Sequence, residues 1–192
     1  FPYYTDVFIS KLNSVGDFVW AKSIGGVDHD RANAIVLDDV GNIFLTGFFG
    51  DTCDFDPGNS NYDLISFGWT DIFITKLDNY GNFISTFSLG NVADDRCTSI
   101  FLDNSGNAFL AGSFQSQVDF DPGPNVNILY AFGAFPDIYV MKVSDISSGV
   151  SEANIVFHAL SVFPNPGSGT ISVVNDVVID EIKVSNLLGE IV

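Results

Sequence analysis

The sequence predicts an all-β fold assembled from two copies of one strand-rich unit and the beginning of a third. Asp6–Leu12 recurs 65 positions later (71 − 6) as Asp71–Leu77 and, more weakly, as Asp137–Val143. Aligning residues 6–58 with 71–123 without gaps gives 26 identities in 53 positions, which chance does not produce. In addition, no segment shows a sustained helical period of apolar residues. We therefore expect tandem units made of strands and turns.

Each unit consists of short apolar segments separated by turns of one design. Gly16 and Gly41 stand at the end of polar turns, where a positive φ is needed, and Gly81 and Gly106 repeat them in the second unit. The strands predicted in the first unit are Asp6–Leu12, Phe18–Ile24, Ala32–Leu37 and Ile43–Phe49. Hairpins that follow one another in this way predict a meander.

Two of these strands, Asp6–Leu12 and Ile43–Phe49, are apolar on both faces. A strand with one solvated face should instead alternate between apolar and polar residues. Strands covered on both sides are typical of sheets that stack on neighbouring sheets, as the blades of a propeller do.

The run Ala-Ile-x-Leu-Asp-x-x-Gly-Asn-x-Phe-Leu-x-Gly, followed by Asp-x-Phe-x-x-Lys-Leu-x-x-x-Gly, resembles the bacterial β-propeller repeat family over most of residues 5–145. The resemblance implies blades that are four-stranded meanders. It places an insertion from Gly50 to Thr70 inside the full blade and assigns residues 6–24 to the last two strands of a preceding blade. The strands of the full blade are then Ala32–Leu37, Ile43–Phe49, Asp71–Leu77 and Phe83–Leu89.

The next blade begins at Thr98–Leu102 and reaches Asp137–Val143, after which the expected fourth strand is missing. A closed propeller has about four to eight blades, so the fold class is an incomplete β-propeller of about two four-stranded blades. This domain takes residues 1–144, divided into units 6–70 and 71–136 and a partial third unit, 137–144. Because the chain begins at Phe1 without Met, we expect a fragment of a longer protein.

The C-terminal part has a different pattern. Residues 145–158 are small and polar and predict a linker. Residues 159–192 resemble the start of the C-terminal sorting domain of type IX secretion substrates, with Phe163 in place of the usual Tyr. The resemblance rests on Pro164, Asn165, Pro166 and Gly169 and implies the start of a β-sandwich-type domain that directs export in a Bacteroidota-type bacterium. A generic immunoglobulin-like module is the alternative.

The charge is strongly acidic, with 24 Asp plus Glu against 7 Lys plus Arg and a formal net charge of −17. Such a surface repels nucleic acid and anionic lipid, so neither is an expected partner. The sequence contains no run of about 18 apolar residues, so no membrane span is predicted. The two cysteines, Cys53 and Cys97, stand at non-equivalent repeat positions and leave two alternatives, a disulfide between neighbouring units or two free thiols.

The repeated segment Asp54-Phe-Asp-Pro-Gly58 and its copy at 119–123 form the sharpest candidate site. Alternate residues of an extended chain point to one side, so Asp54 and Asp56, and likewise Asp119 and Asp121, could hold Ca²⁺ through oxygen ligands. Asn59, Asn61 and Asp63 could add ligands in the first copy, but the second copy has Pro124, Val126 and Ile128 there. The favoured alternative is an Asx-type turn before a Pro-Gly bend.

Five of the seven cations stand at repeated positions, namely Lys11, Lys76 and Lys142, and Arg31 and Arg96. A residue shared by every blade describes the architecture rather than a site. We therefore expect these cations to pair with repeated aspartates such as Asp30 and Asp95, or Asp6 and Asp71.

No catalytic motif is present, and the two histidines, His29 and His158, belong to no cluster. Trp20 and Trp69 could stack on sugars, but packing in a strand or loop is the favoured role for both. We expect a non-catalytic secreted or cell-surface scaffold, located outside the cell or on the outer membrane. Its partners would be the secretion machinery and a surface ligand or polysaccharide. The alternatives are an accessory region of a larger secreted hydrolase and a calcium-binding adhesin-like module.

Overall fold

A computed structural model describes residues 4–121, 126–133, 135–144, 156–163 and 172–174, the last two ranges as backbone only. These residues are all β, with no helix among them, which confirms the predicted fold class; in particular, none of them forms a helix that could cross a membrane. The strands in chain order are β1 Val7–Leu12, β2 Phe18–Gly26, β3 Arg31–Leu37, β4 Ile43–Phe49, β5 Thr52–Asp54, β6 Asp63–Ile65, β7 Asp71–Leu77, β8 Phe83–Leu89, β9 Arg96–Leu102, β10 Ala108–Phe114, β11 Gln117–Asp119, β12 Ile128–Tyr130, β13 Asp137–Ser144, β14 Val156–Phe163 and β15 Ser172–Val174.

The full blade is an antiparallel sheet in the order β3-β4-β7-β8. Its central ladder runs from the pair Ile43 and Leu77 to the pair Phe49 and Asp71 without a break. The four strands are those that the repeat predicts.

All seven residues of β7 and six of the seven in β4 are buried, so the central strands are covered on both faces, as their apolar sequences indicate. The outer strand β3 instead alternates between exposed and half-buried residues. β1 alternates too, with Phe8 and Leu12 exposed, so the expectation that Asp6–Leu12 is covered on both faces is wrong.

The turns between strands are held by one repeated polar residue. Asp38 Oδ1 accepts the backbone N–H groups of Val40 and Asn42, at 3.1 and 2.8 Å. Gly41, which lies between these two donors, has a φ of 86°. Asp78 and Asp103 make the equivalent bonds, and Asn13 holds the first turn in the same manner. Glycine is favoured at the position that closes each turn because it adopts positive φ without a steric cost.

The second blade differs from the sequence prediction. The strand order β15-β14-β13-β10-β9 places β14 beside β13, with Val140 opposite Leu160 and Ser144 opposite Val156. The expectation that this blade lacks a fourth strand is therefore wrong, since β14 occupies that position. The strand runs across the predicted boundary between residues 158 and 159.

The insertion in the full blade forms a hairpin, β5–β6, that joins the sheet of the preceding blade. The order of that sheet is β1-β2-β5-β6, and Gly25 and Gly26 of β2 pair with Asp54 and Cys53 of β5. The equivalent hairpin of the second blade, β11–β12, is a separate two-stranded sheet. Thus the chain leaves one blade after β4, extends its neighbour, and returns to start β7.

The core consists of two apolar clusters, one on each face of the full blade. The first packs β1 and β2 against the full blade and contains Ile24, Phe49 and Phe73. The second packs the full blade against the second one and contains Ile74, Leu110 and Met141. Blade-on-blade packing is therefore what buries the apolar surface.

Gly47 lies opposite Ala32, next to the register shift between Ala32 and Ala34. A Cβ atom at Gly47 would lie 1.8 Å from the carbonyl oxygen of Arg31, a backbone atom that cannot move aside without breaking the ladder. Gly112, 65 positions later, is equally close to the Arg96 carbonyl. Glycine is required here because two backbones approach closely.

We expect Gly47→Ala to lower the free energy of unfolding by about 1–3 kcal/mol or more, the usual cost of forcing extra atoms into a packed site. Urea unfolding followed by tryptophan fluorescence measures this change. Ser99→Ala, at an exposed strand position, is the control and should stay within about 0.5 kcal/mol of the wild type. Equal stability of the two variants would contradict the close approach.

Candidate ligand-binding groove

A groove of about 960 Å³ lies at one end of the full blade. Three successive connections line it: the segment before β3, the two ends of the β5–β6 insertion, and the segment before β9. Residues from the start of the chain contribute Thr5. The groove therefore spans the end of one blade and touches both of its junctions with neighbours.

Two aromatic side chains of the insertion stand out from this groove into solvent. Phe67 is 80% exposed and Trp69 is 78% exposed. Packing was the favoured role for both tryptophans; it holds for Trp20, which lies against the core cluster of Ile24, but it is wrong for Trp69. Two strongly exposed aromatic side chains that line one groove form apolar surface of the kind that marks contact sites.

The second blade repeats the pair. Phe132 and Phe135 precede Asp137 as Phe67 and Trp69 precede Asp71, and they are similarly exposed. Tyr4, two residues before Asp6, is the corresponding exposed aromatic residue of the preceding blade. Each connection into the third strand of a blade thus carries aromatic surface at the same place. The sequence contains this periodicity, but the alignment of residues 6–58 with 71–123 does not include these loops.

A buried carboxylate holds each aromatic loop in place. Asp71, at the start of β7, is almost completely buried and accepts the Phe67 N–H on Oδ2 at 3.0 Å. Asp137 accepts the Phe132 N–H at 2.8 Å in the same way. Burial raises the pKa of Asp71 to about 6, and the bond from the Phe67 amide opposes that rise. These aspartates act on the geometry of the loops and not on a cation.

Matching contacts connect neighbouring blades at the two ends of the groove. Thr70 donates from Oγ1 to Asp94 Oδ1 at 2.8 Å, and its carbonyl accepts the Asp95 N–H at 2.8 Å. At the preceding junction Thr5 Oγ1 lies 3.2 Å from His29 Nδ1, and the Thr5 carbonyl accepts the Asp30 N–H at 2.7 Å. His29 thus stands at the same position of the repeat as Asp94 does in the next unit.

The repeated cations do not make the predicted ion pairs with Asp6, Asp30, Asp71 or Asp95. Within the described ranges the ion pair joins Arg96 to Asp94, at 3.3 Å, and the Arg96 guanidinium lies 4.7 Å from the centre of the Phe48 ring. Lys76 and Lys142 lie over Phe rings in adjacent strands, and Lys11 donates to Asn79. The prediction was wrong because Lys76, Lys142 and Arg96 make cation–π contacts instead. Asp71 and Asp95 accept backbone N–H groups.

Asp30 and Asp95 occupy equivalent buried positions but have different surroundings. Asp95 accepts the N–H groups of Asn91 and Gln115, both at 2.9 Å, whereas neither carboxylate oxygen of Asp30 has a hydrogen-bond partner of normal geometry. Burial raises the pKa of Asp30 to about 7, and the nearby Cys53 thiol and backbone amides only partly offset the rise. Burial also raises the pKa of Asp95, to about 6.

The Asp-Phe-Asp-Pro-Gly segment forms the Asx-type turn that was the alternative to a metal site. Asp54 Oδ1 accepts the N–H groups of Asp56 and Tyr62, at 3.0 and 2.9 Å, and Asp56 Oδ1 accepts the Gly58 N–H at 2.8 Å. In the second copy Asp119 accepts the N–H groups of Asp121 and Asn127, and Pro122 and Gly123 lie outside the described residues. Over the described part of the chain, no three His, Cys, Asp or Glu side chains are grouped as metal ligands.

The residue that sequence reasoning missed in this segment is Phe55. Its side chain is fully buried and meets the rings of Phe49 and Phe73 at centroid distances of 5.3 and 5.1 Å. Phe120 repeats these contacts with Phe114 and Tyr139. The two flanking turn aspartates keep the hairpin in a shape that directs this ring into the core.

Calcium binding by Asp54, Asp56, Asp119 and Asp121 stays a prediction, and the turn geometry gives it a direct test. We expect Asp54→Ala to lower the free energy of unfolding by about 1–3 kcal/mol, because it leaves two amide groups without an acceptor. If the role is confined to the turn, millimolar CaCl₂ and chelator leave the melting temperature unchanged in the wild type and in Asp54→Ala. A calcium-dependent rise in the wild type that Asp54→Ala abolishes would instead establish the metal site.

Two further predictions have different outcomes. Both cysteines are free and buried, so of the two alternatives the free thiols are the ones present. The sorting residues Pro164, Asn165, Pro166 and Gly169 lie outside the described residues.

Comparison with known proteins gives one distant relative. An uncharacterized WD repeat-containing protein of Acanthamoeba polyphaga mimivirus is 28% identical over 110 residues, which take in 50% of this chain. The chain spans 8% of the length of that relative. No family model and no solved structure matches the chain. Together with the all-β blades, this similarity indicates a repeat protein of β-propeller-like fold.

Proposed function

We propose that this chain is a non-catalytic binding module of a secreted or cell-surface protein. In this proposal the propeller-like repeats are a rigid scaffold, and the groove at the end of the full blade is the binding site. The observation that carries the proposal is the pair of exposed rings, Phe67 and Trp69, on a loop that a buried aspartate fixes in place.

The chemistry of the groove supports binding rather than catalysis. The contact that most resembles a nucleophile and its base, Thr5 with His29, has a counterpart in Thr70 with Asp94, which joins two blades. A contact that recurs at each junction serves the architecture. Aromatic rings and arginine, by contrast, are the residues that dominate binding energy at contact surfaces.

The second half of the proposal concerns export. Residues 159–192 are proposed to be the start of a type IX sorting domain, which would place the protein outside the cell or on the outer membrane. Support comes from the resemblance around Pro164, Asn165 and Pro166. In a bacterium that has this secretion pathway, the native gene with these three residues changed to alanine should keep its product in the periplasm, whereas the unchanged gene should export it. Equal export of both products would refute this half.

The binding role is tested with the 192-residue chain on two immobilised libraries, one of glycans and one of peptides. The expected result is a ligand whose affinity drops at least tenfold in the double variant Phe67→Ala, Trp69→Ala. Tyr80→Ala removes an exposed aromatic ring from the turn between β7 and β8, outside the groove, and should leave that affinity unchanged. If neither library contains a ligand that depends on Phe67 and Trp69, the groove is not a binding site.

A further inference from the structure

We infer that the groove binds a neutral polysaccharide, with the rings of Phe67 and Trp69 stacked on the faces of its sugar units. This inference rests on the proposed binding function and adds the chemical class of the ligand. Four features of the described residues support it: the spacing of the aromatic rings, the polar groups beside them, the size of the groove and the charge of the chain.

The aromatic pair is repeated at intervals that match the repeat of the fold. Phe67 and Trp69 stand on one blade, and Phe132 and Phe135 stand at the equivalent loop of the next, all of them strongly exposed. A ligand that contacts this surface on consecutive blades must itself present the same kind of face at regular intervals. A polysaccharide does so, because each sugar ring has an apolar C–H face of similar shape.

The polar groups beside the rings suit hydroxyl groups. Asp28, Asp51 and Arg31 line the same groove, and Arg31 is exposed. Carboxylate and guanidinium groups are planar and form two parallel hydrogen bonds with a matching partner. Adjacent hydroxyls of a sugar supply such a partner, whereas a proline-rich peptide, the other ligand that aromatic grooves select, offers fewer donors because its prolines have no N–H group.

The position of the loop backbone is also fixed in advance. Asp51 adopts a φ of 51°, and its N–H and C=O groups bond to Ser66, at 2.8 and 2.9 Å, which closes the base of the insertion. With Asp71 bound to the Phe67 amide, the aromatic rings sit on a segment held at both ends. A site arranged before the ligand arrives loses less conformational entropy on binding.

Size and charge limit the ligand further. A volume of about 960 Å³ lies at the upper end of the usual range for small-molecule sites and leaves room for several sugar rings. With a net charge of −17, the chain repels polyanions, so acidic polysaccharides are disfavoured. Neutral polysaccharides such as glucans or mannans satisfy both the size limit and the charge limit.

The inference is tested by affinity electrophoresis of the 192-residue chain in gels that contain hydroxyethylcellulose, xyloglucan, galactomannan or alginate, followed by calorimetry with the best ligand. We expect retardation by at least one neutral polysaccharide and none by alginate. Phe67→Ala and Trp69→Ala should each weaken binding about tenfold or more, and Tyr80→Ala should bind as the wild type does. Circular dichroism melts confirm that these surface variants fold.

Three results would overturn the inference: no retardation by any of the neutral polymers, unchanged binding by Trp69→Ala, or retardation by alginate alone. A proline-rich peptide that binds with the same dependence on Trp69, in the absence of polysaccharide binding, would reject the sugar ligand and leave the binding function intact. The two proposals therefore fail separately.

Discussion

Replacing Phe55 by alanine is expected to lower the free energy of unfolding by about 3–5 kcal/mol, the range for removing a buried phenylalanine side chain. The ring lies in the core between the β1–β2 sheet and the full blade, with no exposed surface, and contacts Phe49 and Phe73. Its removal leaves a cavity at the point where the insertion hairpin meets both sheets. Urea denaturation with fluorescence detection measures the loss.

Phe67→Ala is the matched control, because it removes the same side chain from the insertion that carries Phe55, at an exposed position. It should change the free energy of unfolding by no more than about 0.5 kcal/mol. Phe120→Ala should reproduce the effect of Phe55→Ala in the second blade, since its ring contacts are the same in kind. Comparable losses in Phe55→Ala and Phe67→Ala would show that Phe55 does not anchor the hairpin.

The stability of this chain should fall as the pH rises from about 4 to about 7, and Asp30 should be the main single contributor. Its pKa in the folded state is about 7, against 3.8 in the unfolded chain, because burial disfavours the carboxylate. Below pH 3.8 the group is protonated in both states and carries no penalty. Between the two pKa values the unfolded chain ionises while the folded state keeps Asp30 protonated, so stability is lost progressively as the pH rises from about 3.8 to about 7. Above that pH the folded state holds an uncompensated charge and the loss is complete.

Asp30→Asn removes that charge and should raise the melting temperature at pH 8 by about 2–4 °C, which corresponds to roughly 1 kcal/mol for a chain of this size. Below pH 3.8, where Asp30 is protonated in both states, the variant and the wild type should melt together, and their difference should grow as the pH rises to 7. Thermal melts followed by circular dichroism at pH 3, 5, 7 and 8 measure these differences.

Asp95→Asn is the control, because Asp95 accepts a backbone N–H on each oxygen. In this variant an NH₂ group replaces one of the two acceptor oxygens and faces a backbone N–H group. The variant should therefore be less stable than the wild type at pH 8 by about 1–3 kcal/mol. The two substitutions at equivalent positions should therefore have opposite signs. Equal destabilisation by both would mean that Asp30 is partnered in solution.

The repeat determined most of the fold prediction. Strands that recur at 65-residue spacing with glycine turns between them predicted a meander, and the resemblance to β-propeller repeats implied which four strands form the full blade. The crossing of β5–β6 to the next sheet was not predictable, because three-residue strands leave no periodic pattern. The position of β14 was obscured by the change in composition after residue 144, which indicated a linker rather than a continuing sheet.

The candidate groove was harder to predict than the fold. Phe55 stands between two aspartates and is fully buried, whereas Phe67 stands between serine and glycine, near Ile65 and Trp69, and is 80% exposed. Burial depends here on which loop reaches a neighbouring blade, a property of three-dimensional packing that local composition does not encode. For the same reason the sequence predicted the turn made by Asp54 and Asp56 but not the burial of Phe55 between them.

The pairing of β5 with β2 has a consequence for how the array unfolds. In a linear array of repeats, stability is approximately the sum of a term for each unit and a term for each interface, and weak interfaces let units open one by one. Here part of one unit is hydrogen-bonded into the sheet of its neighbour, which shifts free energy from the unit to the interface. Adjacent blades should therefore open together, and removal of a single blade by deletion or proteolysis should destabilise the blade on either side of the cut.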